Sequence, residues 1–86
     1  MDINEIRRHV MEGKAVIGTN KTLKLLKLGQ LSAVVLAKNV PDYIKEDIEY
    51  YAKLSNIPVI QVDLFNDELG AALKKRFKVS VVGILK

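Results

Sequence analysis

The chain has 86 residues, 49% of them apolar, and carries fourteen Lys and Arg against ten Asp and Glu for a formal net charge of +4. That length leaves room for one domain, residues 1–86, with enough apolar content for a core and no linker-like run of Pro, Ser or Gly. With no cysteine, a disulfide framework, a thiolate metal site and a Cys nucleophile are all excluded, which fits a reducing, cytosolic compartment.

Asp2 and Glu5 follow Met1 directly, and no apolar run approaches the roughly 20 residues of a membrane span, so neither export nor a membrane partner is expected. Ile3, Ile6 and Val10 recur at helical spacing and predict a first helix from Asp2 to about Gly13, where a left-handed cap would end it. Ala15-Val16-Ile17 is a short β-favouring run closed by Gly18. Leu23, Leu25 and Leu26 then give a helical face ending at Gly29. Ser32 to Ala37 is a continuous apolar run rich in Val, the pattern of a central strand covered on both faces. Pro41 opens a third helix, with Ile44, Ile48, Tyr51 and Ala52 on its buried side and Lys45–Glu49 and Glu49–Lys53 as opposite-charge pairs one turn apart. Asn56 and Pro58 break it, and Val59 to Val62 forms a third strand. Asn66 is placed to cap a fourth helix with Asp67 and Glu68 in its first turn, ending near Lys75 or Arg76. Val79 to Leu85 closes the chain as a strand. The order α-β-α-β-α-β-α-β predicts an α/β fold, a sheet between helix layers that is at least partly parallel because crossover helices join successive strands.

The charges are sorted along the chain. Gly13 to Pro41 and Ala71 to Lys86 contain no acid and five cations each; the other residues hold four cations and all ten acids. Polyanion binding depends on a local basic footprint, since each neutralised phosphate releases condensed counterions, so nucleic acid is the leading partner class.

Three constellations fall in or beside the basic stretches. The turn Gly18-Thr19-Asn20-Lys21-Thr22-Leu23-Lys24 joins a strand to a helix N-terminus, where free N–H groups and the helix dipole favour an anion. Thr19 or Asn20 serves there as an ordinary N-cap, or the turn is a phosphate or base-edge site. Lys21 and Lys24 favour the site, because a cation in the first turn opposes the dipole by roughly 0.3–1 kcal/mol. The Gly-x-x-x-x-Gly-Lys-Ser/Thr spacing of a nucleotide-hydrolysing loop is absent. Asn39, after the buried strand, lies at the same sheet edge if both strands run the same way, and either bonds its own backbone or offers its amide to a ligand. In Arg76-Phe77-Lys78-Val79 an aromatic is flanked by cations, so that Phe77 is either core or a platform on which an unpaired base stacks, worth about 1–3 kcal/mol.

Enzyme chemistry finds little support. His9 has no evident nucleophile partner. Glu46, Asp47 and Glu49, interleaved with Lys45 and Lys53, read as a solvated helix face and not as a metal nest or acid–base pair. Tyr43, Tyr50 and Tyr51 share that acidic helix and are excluded as base platforms, Tyr51 being a core residue. No enzyme, cofactor or metal is expected.

Ile17-Gly18-Thr19-Asn20-Lys21-Thr22-Leu23-Lys24, Lys38-Asn39, the run Ile44 to Ser55 with its Ile48-Glu49-Tyr50-Tyr51-Ala52 segment, Glu68-Leu69-Gly70 and Phe77-Lys78-Val79 through Leu85 together resemble the archaeal and eukaryotic large-subunit ribosomal protein L-thirty-e family. That family lies within the wider kink-turn RNA-binding family, and the resemblance covers nearly the whole chain. It implies a three-layer α/β/α sandwich with a four-stranded mixed sheet. It also implies a structural clamp on a kink-turn of ribosomal RNA, an internal loop in which sheared G·A pairs flank a short bulge. The Gly18 turn with Thr19, Asn20, Lys21 and Lys24 would face the sheared pairs and nearby phosphates. Asn39 would contact a bulge nucleotide, and Phe77 with Lys78 and Val79 would meet the splayed bases. Lys27 and Arg76 complete the expected RNA-binding set. Relatives often carry a basic residue where this chain has Asn20, and Glu where it has Lys21. The expected setting is the cytoplasmic ribosome, with the free protein a monomer. A non-ribosomal kink-turn binder and an adaptor for an acidic protein partner are the alternatives.

Overall fold

In the computed structural model, which describes residues 1–86, four helices alternate with four strands: α1 (Ile3–Met11), β1 (Ala15–Ile17), α2 (Thr19–Lys27), β2 (Leu31–Leu36), α3 (Asp42–Ser55), β3 (Val59–Gln61), α4 (Asn66–Ala72) and β4 (Val81–Leu85). Asp2 caps α1 through a reciprocal pair: its Oδ1 accepts the Glu5 N–H at 2.9 Å, and Glu5 Oε1 accepts the Asp2 N–H at 3.5 Å.

All four helices end the same way. The chain turns left-handed at Gly13, Gly29, Asn56 and Lys74, and the N–H groups of that residue and the next close back on carbonyls of the last turn. Lys74 is the exception in type. It takes φ +63° although Lys has no special tolerance for that region. The fourth helix therefore stops at Ala72, short of the expected Lys75 or Arg76, with Lys74 N–H on Ala71 O at 3.0 Å and Lys75 N–H on Gly70 O at 2.9 Å.

The strand order is β1-β4-β2-β3, with β4 antiparallel to both β1 and β2, and β2 parallel to β3. Alternation along β2 is interrupted once: Leu31 pairs with Leu85 and Ala33 with Ile84, so Ser32 is an extra residue in the ladder. This bulge puts Leu31 on the same side as Val34 and Leu36, where a regular strand would have turned it to the opposite face.

Each face of the sheet has its own helix pair. On one side Ile6 of α1 and Leu69 and Leu73 of α4 pack with Ala33, Val35, Val82 and Ile84; on the other Leu26 of α2 and Ile48 and Ala52 of α3 pack with Leu31, Val34, Leu36 and Val81. The three-layer α/β/α sandwich is thus the observed architecture. Because β2 is covered on both faces, it reads as an unbroken apolar run.

Two local expectations are corrected. The α3 charge pairs do not form: Lys45 Nζ donates to Gln61 Oε1 at 2.9 Å instead, since Gln61 at the end of β3 is within its reach. Asn66 does not cap α4. The cap position belongs to Phe65, whose side chain has no acceptor, while its N–H is held by Glu68 Oε1 at 2.9 Å.

Candidate RNA interface

The strand directions decide where the basic loops lie. With β1, β2 and β3 running the same way and β4 opposed, the carboxyl ends of the first three and the approach to β4 share one sheet edge. Backbone bonds tie these segments together: Gly18 N–H to Val81 O at 3.0 Å, Ala37 N–H to Ser80 O at 2.9 Å and Lys38 N–H to Leu64 O at 2.7 Å. Ligands of open α/β sheets gather at such an edge.

Gly18 enters α2 at φ +115°, ψ 150°, a region closed to residues with a Cβ. It is itself the helix N-cap, and it has no side chain with which to cap. Neither Thr19 nor Asn20 takes that role, because both already lie inside the first turn. The N–H groups of this turn are left without a side-chain acceptor. Thr22 turns inward and is fully buried, whereas Asn20, Lys21 and Lys24 are exposed. Asn20, Leu23, Lys24, Lys27 and Leu28 line an open groove of about 410 Å³ along the helix. Lys27 sits at its far end with its ammonium 4.9 Å from the Tyr51 ring centroid, so its charge is directed to α3 and away from the sheet edge. Tyr51, expected in the core, is half-buried under that ammonium.

Asn39 follows neither sequence alternative alone. Its Oδ1 accepts the backbone N–H of Asn66 at 2.8 Å, which locks the β2–α3 loop to the start of α4 and leaves the amide donors facing outward. Asn66 in turn accepts the Val79 N–H on its carbonyl at 3.0 Å. One residue thereby links the Asn39 loop to the Phe77 segment. No sequence rule identified Asn66 for this; its Asn-before-acids pattern pointed to a cap.

Phe77 is not a core residue: it is 57% exposed. The backbone beneath it is held against α4 at Gly70, where a Cβ would collide with the Phe77 carbonyl oxygen. Helix and segment are in direct backbone contact there. Asp67, Ala71, Lys75, Arg76, Phe77 and Lys78 surround a shallow hollow of about 330 Å³. Val79 is corrected: at 1% exposure it belongs to the α1–α4 core, so its side chain has no surface to offer. The chain bends at Arg76 and Phe77, ahead of β4, so Phe77 does not follow strand alternation and stays in solvent while Val79 packs inward.

Lys38 and Phe65, which the sequence did not single out as site residues, stand at the same edge. Lys38 Nζ is 3.0 Å from Asp63 Oδ1 and 5.3 Å from the Phe65 ring centroid. Of the ten cations in the acid-free stretches, only Lys38 and Lys14 have a carboxylate within ion-pair distance, Lys14 with Glu12 at 3.9 Å. The other eight have no carboxylate partner, and of these Lys27 lies over the Tyr51 ring.

The model of the Ribosomal protein L7Ae/L30e/S12e/Gadd45 family matches residues 2–86. Large ribosomal subunit protein eL30 of Methanocaldococcus jannaschii is 46% identical over 86 residues, covering 99% of this chain and 78% of the relative. The protein of the same name from Methanothermobacter thermautotrophicus is 46% identical over 83 residues, covering 95% and 85%. Among solved structures, a Giardia lamblia 15.5kD RNA binding protein superposes with a TM-score of 0.82 at 20% identity, covering 98% of this chain and 70% of that one. A Bacillus halodurans protein of unknown function superposes at 0.88, also at 20% identity, covering 98% and 83%. With a matching family model over almost every residue and relatives of this identity along nearly its full length, the chain belongs to the Ribosomal protein L7Ae/L30e/S12e/Gadd45 family.

Proposed function

We propose that this chain is an RNA-binding protein of the large ribosomal subunit, working in the cytoplasm, that clamps a kink-turn of ribosomal RNA and performs no catalysis. The observation that carries it is the shared edge. The uncapped, cationic start of α2, the outward amide of Asn39 and the exposed ring of Phe77 lie on loops joined by direct backbone or side-chain bonds. The eL30 names of the archaeal relatives support the ribosomal setting.

RNA duplexes hide their base edges in a deep, narrow major groove, so side chains read unpaired or splayed bases. A bulged, kinked helix offers such bases beside closely spaced phosphates. In this division of labour Lys21, Lys24, Arg76 and Lys78 neutralise phosphate, the first-turn N–H groups of α2 with Asn20 meet the sheared pairs, Asn39 donates to a bulge nucleotide, and Phe77 stacks on an unpaired base. Val79 supports the platform from below, and Lys27, at the far end of the α2 groove, contributes only to the outer electrostatic field.

The test is titration of the protein against a kink-turn duplex and against a control whose G·A pairs are replaced by Watson–Crick pairs. A preference of about tenfold or more, roughly 1.4 kcal/mol, is expected, and a smaller one rejects kink recognition. With about four or five phosphates neutralised, log affinity should fall with log salt at a slope of roughly −3 to −4.

A further inference from the structure

We infer that Phe65 is a second base-stacking platform on the same edge, so that the protein holds two unpaired nucleobases, one on Phe65 and one on Phe77. The inference rests on the RNA reading above and adds a site to it.

Phe65 immediately precedes Asn66, the residue that bonds both to Asn39 and to Val79. It therefore sits where the bulge-reading loop and the Phe77 segment meet. Its side chain is 48% exposed. An apolar ring is a poor choice at a helix N-cap, where Ser, Thr, Asp or Asn would accept a first-turn N–H, and the chain has Asn available at the very next position. A local rule broken at an exposed position, beside a candidate site, points to a function for the side chain.

The surroundings suit a nucleotide. Glu68 holds the Phe65 N–H at 2.9 Å, and the Phe65 carbonyl accepts the Leu69 N–H at 2.8 Å, so the backbone under the ring is fixed on both sides. Lys38 Nζ stands over the ring at 5.3 Å from its centroid, and Asp63 holds that ammonium at 3.0 Å. A base on the ring would place its phosphate near this ammonium, the pairing of aromatic and cation that single-strand binders use. The Asp63 charge is already matched by Lys38, which limits its repulsion of the RNA. Phe77 shows the same composition, an exposed ring between Arg76 and Lys78.

The experiment uses a kink-turn RNA carrying the fluorescent base 2-aminopurine at one unpaired position at a time, titrated with the wild-type chain and with Phe65→Leu, Phe65→Tyr and Phe77→Ala. Leu keeps bulk and loses the π-face; Tyr keeps it. Wild type should quench two positions, Phe65→Leu should lose quenching at one of them and bind roughly five- to 150-fold more weakly with an unchanged salt slope, and Phe65→Tyr should restore both. Phe77→Ala should lose the other position. If wild type prefers the kinked RNA but Phe65→Leu keeps both quenched positions and its affinity within about twofold, the Phe65 site is wrong while the RNA reading stands. If wild type shows no preference for the kinked RNA, the RNA reading fails and this site with it.

Discussion

Gly70→Ala tests the contact on which the Phe77 platform is built. In an ordinary helix interior the change would stabilise by about 1 kcal/mol, since Gly loses more backbone freedom on folding than Ala. Here the new methyl would occupy the space of the Phe77 carbonyl oxygen, with the Phe77 carbonyl carbon at 3.2 Å and Lys78 Cα at 3.5 Å. These are backbone atoms and cannot step aside by changing rotamer. Either α4 or the whole segment must move, at the cost of about 1–3 kcal/mol typical of overpacking. The helix gain offsets part of this, leaving a net loss of roughly 0–2 kcal/mol, while the displacement of Phe77 remains in full. Urea unfolding should show a midpoint at or below that of wild type, with a thermal loss of up to roughly 15 °C for a domain of this size. Kink-turn affinity measured well below the transition should fall by about tenfold or more. A Gly70→Ala protein that is stabilised by the full helix increment and binds RNA as wild type does would show that α4 and the Phe77 segment are not in contact.

Gly18→Ala should destabilise by about 1–3 kcal/mol in chemical denaturation, because φ +115° with ψ 150° admits only glycine, and should weaken RNA binding further by misplacing the start of α2. Asn39→Asp keeps the oxygen that accepts the Asn66 N–H but replaces the amide donors with a negative charge, so unfolding should change by under about 1 kcal/mol while RNA affinity drops about tenfold or more. Phe77→Ala should cost about 1–3 kcal/mol of RNA affinity with little change in salt slope, whereas Lys24→Ala should flatten the slope by somewhat under one unit; equal slopes in the two variants would contradict the separation of stacking from charge. Lys74→Gly should raise thermal stability by a few degrees, since glycine relieves roughly 1 kcal/mol of left-handed strain at φ +63°.

Much of this molecule is legible in one dimension. Helix and strand identity follow from apolar spacing, and three of the four helix ends follow from Gly13, Gly29 and Asn56, residues that tolerate the left-handed turn. The sorting of charge into two acid-free stretches is equally visible, as are the Gly18 turn, Asn39 and the cation-flanked Phe77. All of these depend on interactions within a few residues, so the local sequence carries the information. The helix α4 ends earlier than its apolar spacing predicts because Lys74 adopts a left-handed conformation that its own chemistry disfavours.

What tertiary structure decided is of another kind. That Phe77 faces water while Val79 is buried depends on the bend at Arg76 and Phe77 and on the packing of Val79 against α1 and α4. Whether Asn39 bonds to itself or to Asn66 depends on a partner 27 positions away in the chain. Lys27 turns from the edge because the Tyr51 ring of a different helix lies beneath it, and Phe65 gains a place in the site only because Asn66 joins two distant loops. Above all, the antiparallel placement of β4 between β1 and β2 brings the basic stretches to one edge. Pairing between strands is set by contacts far apart in the chain, and no local propensity encodes which strand becomes whose neighbour.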